Sequence, residues 1–299
     1  MGIVLGPHQY GKAETRLVRI VRNTPRHEIV DLNVSTALRG DFDAAHLEGD
    51  QSSVLPTDTQ KNTAYLWAKR QVPDPIETWA LSLGRHFVDE VEPVDAARVE
   101  VEQYAWTRVT VDGRPHDHTF VRTGQEVRTA AVTVQPSGVH VVQGLKDLVV
   151  LKSTGSEFAG FLVDRYTTLQ PTDDRIMATS LTARWRITDP GPDVDWNGMY
   201  AGVRAVLLER FAELHSLALQ QTLWHMGRAA LERYPEIAEI RLVAPNKHHF
   251  LVDLGPFDEA NPNEVFSAPD RPYGLIQASA LREGAADAGD AWWTSTGLA

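Results

Sequence analysis

Two rhythms of apolar residues run along this chain. Residues 13–22 (AETRLVRIVR) and 27–38 (HEIVDLNVSTAL) alternate apolar and polar positions with the period of half-buried strands, and Asn23-Thr24-Pro25 supplies the turn between them. Residues 39–53 are acidic and polar and read as a loop. At Pro56-Thr57-Asp58 the period changes. Thr57 suits an N-cap and Asp58 a first-turn acid, opening a helix that runs through Lys69 and stops before Pro73 and Pro75. A second helix over 76–90 puts Ile76, Trp79, Ala80, Leu83 and Phe87 on one stripe. Alternation returns over 98–111, Asp112-Gly113 turns the chain, and 117–134 gives a fourth strand, so the order is ββααββ.

The second half repeats this order in pattern though not in letters. Strands are expected at 138–151 and 175–188, helices at 196–214 and 217–234 with a break at His215-Ser216, and strands at 237–244 and 248–254. The acidic tail from Asp258 onward holds little that must fold. Pro136-Ser137-Gly138 is the natural boundary, giving domains 1–136 and 137–299. Two antiparallel sheets, each backed by a helix pair, make an α+β protein. Strands of about 12 residues, roughly 40 Å at ~3.3 Å per residue, are long, and their open edges need covering. Closing the sheets into a ring of several subunits would cover them, which predicts a homo-oligomer.

Composition narrows the chemistry. The 299 residues, 42% hydrophobic and 23% charged, are those of an ordinary globular protein. No apolar run is long enough to span a bilayer, and the N-terminus MGIVLGPHQYGK does not read as a secretory signal. A net charge of −11 without a basic stripe argues against nucleic acid as partner. The absence of cysteine excludes disulfides, thiolate catalysis and Cys-based metal centres, and fits a cytosol.

Candidate chemistry gathers in Leu151–Ile176, LKSTGSEFAGFLVDRYTTLQPTDDRI. Phe158 sits in a glycine-softened turn, and Arg175 follows at the mouth of a strongly alternating run. An aromatic face with a guanidinium fork is the minimum equipment for a flat, polar, anionic heterocycle. Each residue also has an ordinary reading: Phe158 as core, Arg175 as a surface charge, Lys12 as a solvated lysine before an edge strand. Thr57 and Asp58 serve equally as helix-start residues, and Asn246 and His248 as a turn with a surface histidine. His116 and His118 could share a strand face as metal ligands, but no third ligand follows at suitable spacing. No dinucleotide, nucleotide-phosphate, metalloprotease or hydrolase-elbow motif occurs, and Asn33-Val34-Ser35 is a sequon within a strand.

Together, Tyr10-Gly11-Lys12, VLPTDTQKNT at 54–63, the Leu151–Ile176 stretch and PNKHHF at 245–250 resemble urate oxidase, over about Tyr10 to Asp253. The resemblance implies two tandem tunnelling-fold (T-fold) domains per subunit and four subunits forming a barrel. It implies oxidation of urate by dioxygen and water to 5-hydroxyisourate and hydrogen peroxide, with no metal or organic cofactor. In such a site Phe158 lies beneath the purine ring, and Arg175 and Gln220 read its pyrimidine edge. Leu219 stands where many members carry valine. Thr57 and Asp58 reach the imidazolone side from a neighbouring subunit, and Asn246 holds dioxygen or water above the ring. Lys12, Thr57 and His248 relay protons, while His249 alternates to the opposite face. The chain ends Thr-Gly-Leu-Ala, not in a peroxisomal Ser-Lys-Leu-type address, so the expected location is cytoplasmic. Two other readings are a T-fold enzyme acting on a pterin-like or purine heterocycle, and a non-catalytic purine-binding protein on the same scaffold.

Overall fold

In the computed structural model, which describes residues 2–296, the chain divides into two compact units. The first comprises the residues up to Gly144, Arg186–Asn197 and the segment from Ala286 onward; the second comprises Leu145–Trp185 and Gly198–Ala285.

The first unit is built on β1 (Tyr10–Val21), β2 (Glu28–Gly40), β3 (Val94–Val111) and β4 (Arg114–Gln135), each antiparallel to the next in chain order. Val34 pairs with Val101 and Val99 with Val132, so alternate positions build one apolar face. Against it lies α3 (Ile76–Glu90), whose stripe of Ile76, Trp79, Ala80, Leu83 and Phe87 is fully buried. This is the stripe read from the sequence. The preceding helix, α2 (Thr57–Arg70), runs beside β1 and buries only Gln60, Ala64 and Ala68. Residues 39–53 are not all loop: Asp43–Leu47 forms a short helix, α1, with no buried residue of its own. In the same unit, Arg128 Nη2 donates to both carboxylate oxygens of the buried Glu77, and Gln143 donates a further bond to the same carboxylate.

The second unit carries, in sheet order, β5 (Gly138–Lys152, which starts in the first unit), β6 (Met177–Ile187), β7 (Ile237–Asn246) and a strand that the sequence pattern does not predict. Residues 248–254 do not form the partner of β7. Only Phe250–Leu251 (β8) is extended there, paired with Phe266–Ser267 (β9). The partner is β10 (Gly274–Leu281), in register from Gly274 opposite Asn246 to Leu281 opposite Glu239. The tail from Asp258 is therefore structural. Two helices, α4 (Trp196–Glu213) and α5 (Leu219–Arg233), bury Val203, Leu207, Phe211, Leu223 and Met226. α5 lies over β7 and β10. At Gly202 a Cβ would stand 1.6 Å from the Tyr234 hydroxyl, so the absent side chain lets that tyrosine pack against α4.

The rest of the tail belongs to the first unit. Ala291 and Trp293 are buried, the latter with Ala37 and Ala96. The Trp293 indole N–H donates to the Gln9 side chain, Arg98 Nη1 donates to the Ala291 carbonyl at 3.1 Å, and Ser295 Oγ donates to Glu100 at 2.6 Å. Among the described residues no helix is long and apolar enough to cross a membrane. Residues 297–299, which carry most of the Thr-Gly-Leu-Ala ending, lie outside the described residues.

Candidate active site

The sequence-predicted residues fall into two sets, one in each unit. Lys12, Thr57 and Asp58 belong to the first; Phe158, Arg175, Leu219, Gln220, Asn246 and His248 belong to the second.

In the first set, strand chemistry aims Lys12. A Cβ on Gly11 would lie 1.8 Å from the Thr36 carbonyl oxygen, so glycine lets β1 and β2 meet closely at this point. Immediately after, the β1–β2 register slips between Lys12 and Thr15, with Glu14 at φ 56°. Bulges of this kind re-aim the neighbouring side chain. Lys12 is half-buried, and among the described residues its ammonium has no hydrogen-bond or ion-pair partner.

Thr57 does not cap its helix. Pro56 occupies the N-cap position and offers no side-chain bond, which leaves Thr57 as the first helical residue with its hydroxyl unpartnered among the described residues. The first bond inside the helix runs from the Gln60 N–H to the Pro56 carbonyl. The amides of Thr57, Asp58 and Thr59 therefore lack intrahelical acceptors, an arrangement that suits an anion or a carbonyl. Asp58 accepts from Lys61 Nζ at 2.5 Å and from Asn62 at 3.0 Å. Its carboxyl is held below the ordinary value chiefly by the Lys61 hydrogen bond and charge, with the charge of Lys12 contributing.

In the second set, backbone bridges pin the loop that bears Phe158 and Arg175. The Phe158 and Thr172 amides exchange bonds at 2.8 and 3.0 Å, and the Arg175 N–H donates to the Ser156 carbonyl at 2.8 Å. Ser156 in turn bridges to Ser216, three residues before α5. The Arg175 guanidinium carbon stands 5.1 Å from the Phe158 ring centroid, and Phe161 stacks on Phe158 at 5.1 Å with 15° between the planes. Arg175 Nε is buried with no acceptor, and burial pulls its pKa below the usual arginine value. The Ser156 hydroxyl beside it is also buried and unpartnered. Uncompensated donors of this kind are costly unless a ligand completes them.

α5 begins at Leu219, two residues later than its pattern suggests, after Ala218 in extended conformation. Its first bond is from the Thr222 N–H to the Ala218 carbonyl, so the Leu219 and Gln220 amides have no intrahelical acceptor. The Leu219 side chain is 3% exposed, which leaves its backbone N–H as the group it can offer a ligand. Gln220 is exposed, and its amide has no partner among the described residues.

Asn246 ends β7, and the next amide, that of Lys247, donates to the Ala178 carbonyl at 2.9 Å. Ala178 lies three residues after Arg175, so this bond brings the Asn246-to-His248 turn to the end of β6 where Arg175 enters. His248 is half-buried and stacks on Phe250 at 5.7 Å, while His249 Nδ1 meets the Lys247 carbonyl at 3.0 Å. His116 and His118 pack ring to ring at 4.5 Å, and among the described residues no group of three or more acidic or histidine side chains could hold a metal ion.

Sequence reasoning missed Ser156, whose buried hydroxyl no motif announces. It also missed Thr36 and Gln60, which connect Lys12 to α2; a buried glutamine three positions after Thr57 is visible only once the helix face is known.

With this geometry, the comparison with known proteins is specific. A family model described as Uricase matches residues 8–133 and 141–277. The chain belongs to the uricase family. It is 55% identical over 282 residues to the uricase of Arthrobacter globiformis, covering 94% of this chain and 91% of that one. With the uricase of Cyberlindnera jadinii the identity is 35% over 298 residues, covering 95% and 98%. The crystal structure of the Arthrobacter globiformis uricase superposes with a TM-score of 0.91 at 52% identity, covering 98% and 99% of the two chains. A uricase from Bacillus fastidious gives 0.79 at 25%, covering 93% and 94%. As a uricase-family chain it is an oxidoreductase, and its α+β fold with antiparallel strands is that of the solved uricases.

Proposed function

We propose that this chain oxidises urate with dioxygen and water to 5-hydroxyisourate and hydrogen peroxide, without a metal or organic cofactor. The reaction balances as two electrons passing from urate to dioxygen while a water oxygen bonds to the purine C5. Two protons complete the peroxide. Urate is its own electron donor, so the protein's tasks are to orient the anion, remove its proton and limit bulk water.

The observation that carries this reading is Arg175. A half-buried guanidinium whose buried Nε has no acceptor, beside an aromatic ring and a pinned loop, calls for a planar anion. Phe158 supplies the ring face, worth about 1–3 kcal/mol of stacking. Gln220 adds one acceptor and two donors against the same substrate edge, and the Leu219 N–H lies at the adjoining helix start. Asn246 holds dioxygen or water above the ring. His248 passes protons to Lys12 and Thr57, while Thr57 and Asp58 grip the imidazolone side through their helix start. Residues 1–136 and 137–299 are two T-fold domains, four copies close into a barrel, and the Lys12–Thr57–Asp58 set of one copy meets the Phe158–Arg175–Gln220 set of another. The enzyme works in the cytoplasm.

The test follows urate's near-UV absorbance together with oxygen and peroxide, in the presence of chelator. Loss of absorbance with equimolar oxygen uptake and peroxide release is expected. Urate binding without oxygen uptake would favour a non-catalytic purine-binding protein, and abolition by chelator would favour a metal enzyme.

A further inference from the structure

Beneath Lys12 and Thr57 lies a buried polar bridge that the reaction scheme does not use. The Lys12 backbone N–H donates to Thr36 Oγ1 at 3.3 Å, and Thr36 Oγ1 donates to Gln60 Oε1 at 2.7 Å. Gln60 Nε2 then reaches the Leu55 carbonyl at 3.5 Å, two residues before α2 begins. Thr36 is 4% exposed and Gln60 fully buried. Gln60 is also the residue whose N–H closes the first turn of α2, on the Pro56 carbonyl.

This bridge occupies an unusual place. The β1–β2 ladder is interrupted just past Lys12, so regular pairing does not hold the following residues. On the other side, α2 starts with no side-chain cap. The strand that bears Lys12 therefore loses its ladder restraint immediately after that residue, and the helix that bears Thr57 starts without a side-chain cap. A single threonine hydroxyl, accepting from the one and donating to the other, ties the two together at that point.

We propose that Thr36 and Gln60 are positioning residues that set the distance between the Lys12 ammonium and the Thr57 hydroxyl. The inference rests on Lys12 and Thr57 acting together in proton transfer. Neither Thr36 nor Gln60 touches substrate. Their effect passes through the β1 backbone at Lys12 and the first turn of α2. Because proton transfer and near-attack geometry are sensitive to displacements of about 1 Å, with losses on the order of 100-fold, loosening this bridge lowers turnover more than affinity.

The test is a double-mutant cycle of Thr36→Val and Lys12→Met in the full-length protein, reading kcat and KM for urate and the pH profile of kcat. T36V keeps the side-chain volume while removing the hydroxyl. It is expected to lower kcat about 10-fold or more with KM changed less than about 3-fold, and to move the pH profile; Thr36→Ser restores both. In the K12M background T36V adds no further loss, because the group it positions is gone. Gln60→Met reads the bridge from the helix side, with melting temperature and circular dichroism identifying the folded variants. Normal kcat and pH profile in folded T36V and Q60M, or losses that multiply with K12M, would overturn the positioning role. Normal kcat in K12M itself would instead overturn the reading of Lys12 on which it rests.

Discussion

The proposed function gives Lys12 and Arg175 different tasks, and substitution separates them. Lys12→Met removes a proton-transfer group, so kcat is expected to fall about 100- to 10,000-fold with little change in KM. A change confined to KM would remove Lys12 from the relay. Arg175→Lys keeps the charge but loses the planar fork. It is expected to raise KM about 10-fold or more, because one ammonium cannot make two parallel bonds to the substrate edge. Direct urate titration of the variant under anaerobic conditions checks that the loss is in binding. Both residues stand out in the sequence through the motifs that carry the family resemblance. Their chemical setting was not legible there. Nothing in DDRIM announces that Arg175 Nε is buried without an acceptor, and the Thr57 hydroxyl reads as a cap until Pro56 is seen to hold that position.

At the scale of elements, clean periods were read well and weak ones were not. The α3 stripe carries Trp79, Leu83 and Phe87 at helical spacing, and α3 packs as that stripe requires. β10 reads GLIQASAL, with its one buried side chain an alanine, Ala280, so its alternation is faint in hydrophobicity. It also follows a segment rich in Pro, Asp and Asn that suggests a tail. What makes it a strand is the open edge of β7. The same tail ends as a clasp on the first unit, and two measurements test its contribution. Trp293→Ala leaves a cavity beside Ala37 and Ala96 and is expected to cost about 3–5 kcal/mol, read from thermal or denaturant unfolding. Glu100 supplies a pH signature. Burial acts to raise its pKa, but the Arg98 charge and hydrogen bonds from Ser295 and Arg98 outweigh it, and the net value is lowered. A carboxyl depressed in the folded state stabilises fully above its unfolded pKa, and that contribution is lost as pH falls through the folded value. Melting temperature followed between about pH 7 and about pH 3 should therefore fall more steeply in the parent than in Glu100→Gln. Parallel curves would show that Glu100 does not couple to folding.

Across the whole molecule, the central claim is that neither set of residues is sufficient alone. On the proposed function, the Lys12–Thr57–Asp58 set of the first unit handles protons, the Phe158–Arg175–Gln220 set of the second grips substrate, and a working site takes one set from each of two copies. The sequence suggested this only through the long strands that need closing and through family resemblance, since a pattern along one chain holds no information about which copy completes a site. Co-assembly of two inactive variants, Lys12→Met and Arg175→Ala, tests it directly. When the two chains are expressed together and the hybrid is purified through distinct tags, random assembly leaves about a quarter of the sites with both sets intact, so roughly that fraction of parental urate-dependent oxygen uptake is expected. Hybrids no more active than either variant alone would show that both sets serve the same copy's site, or none, and would contradict the account.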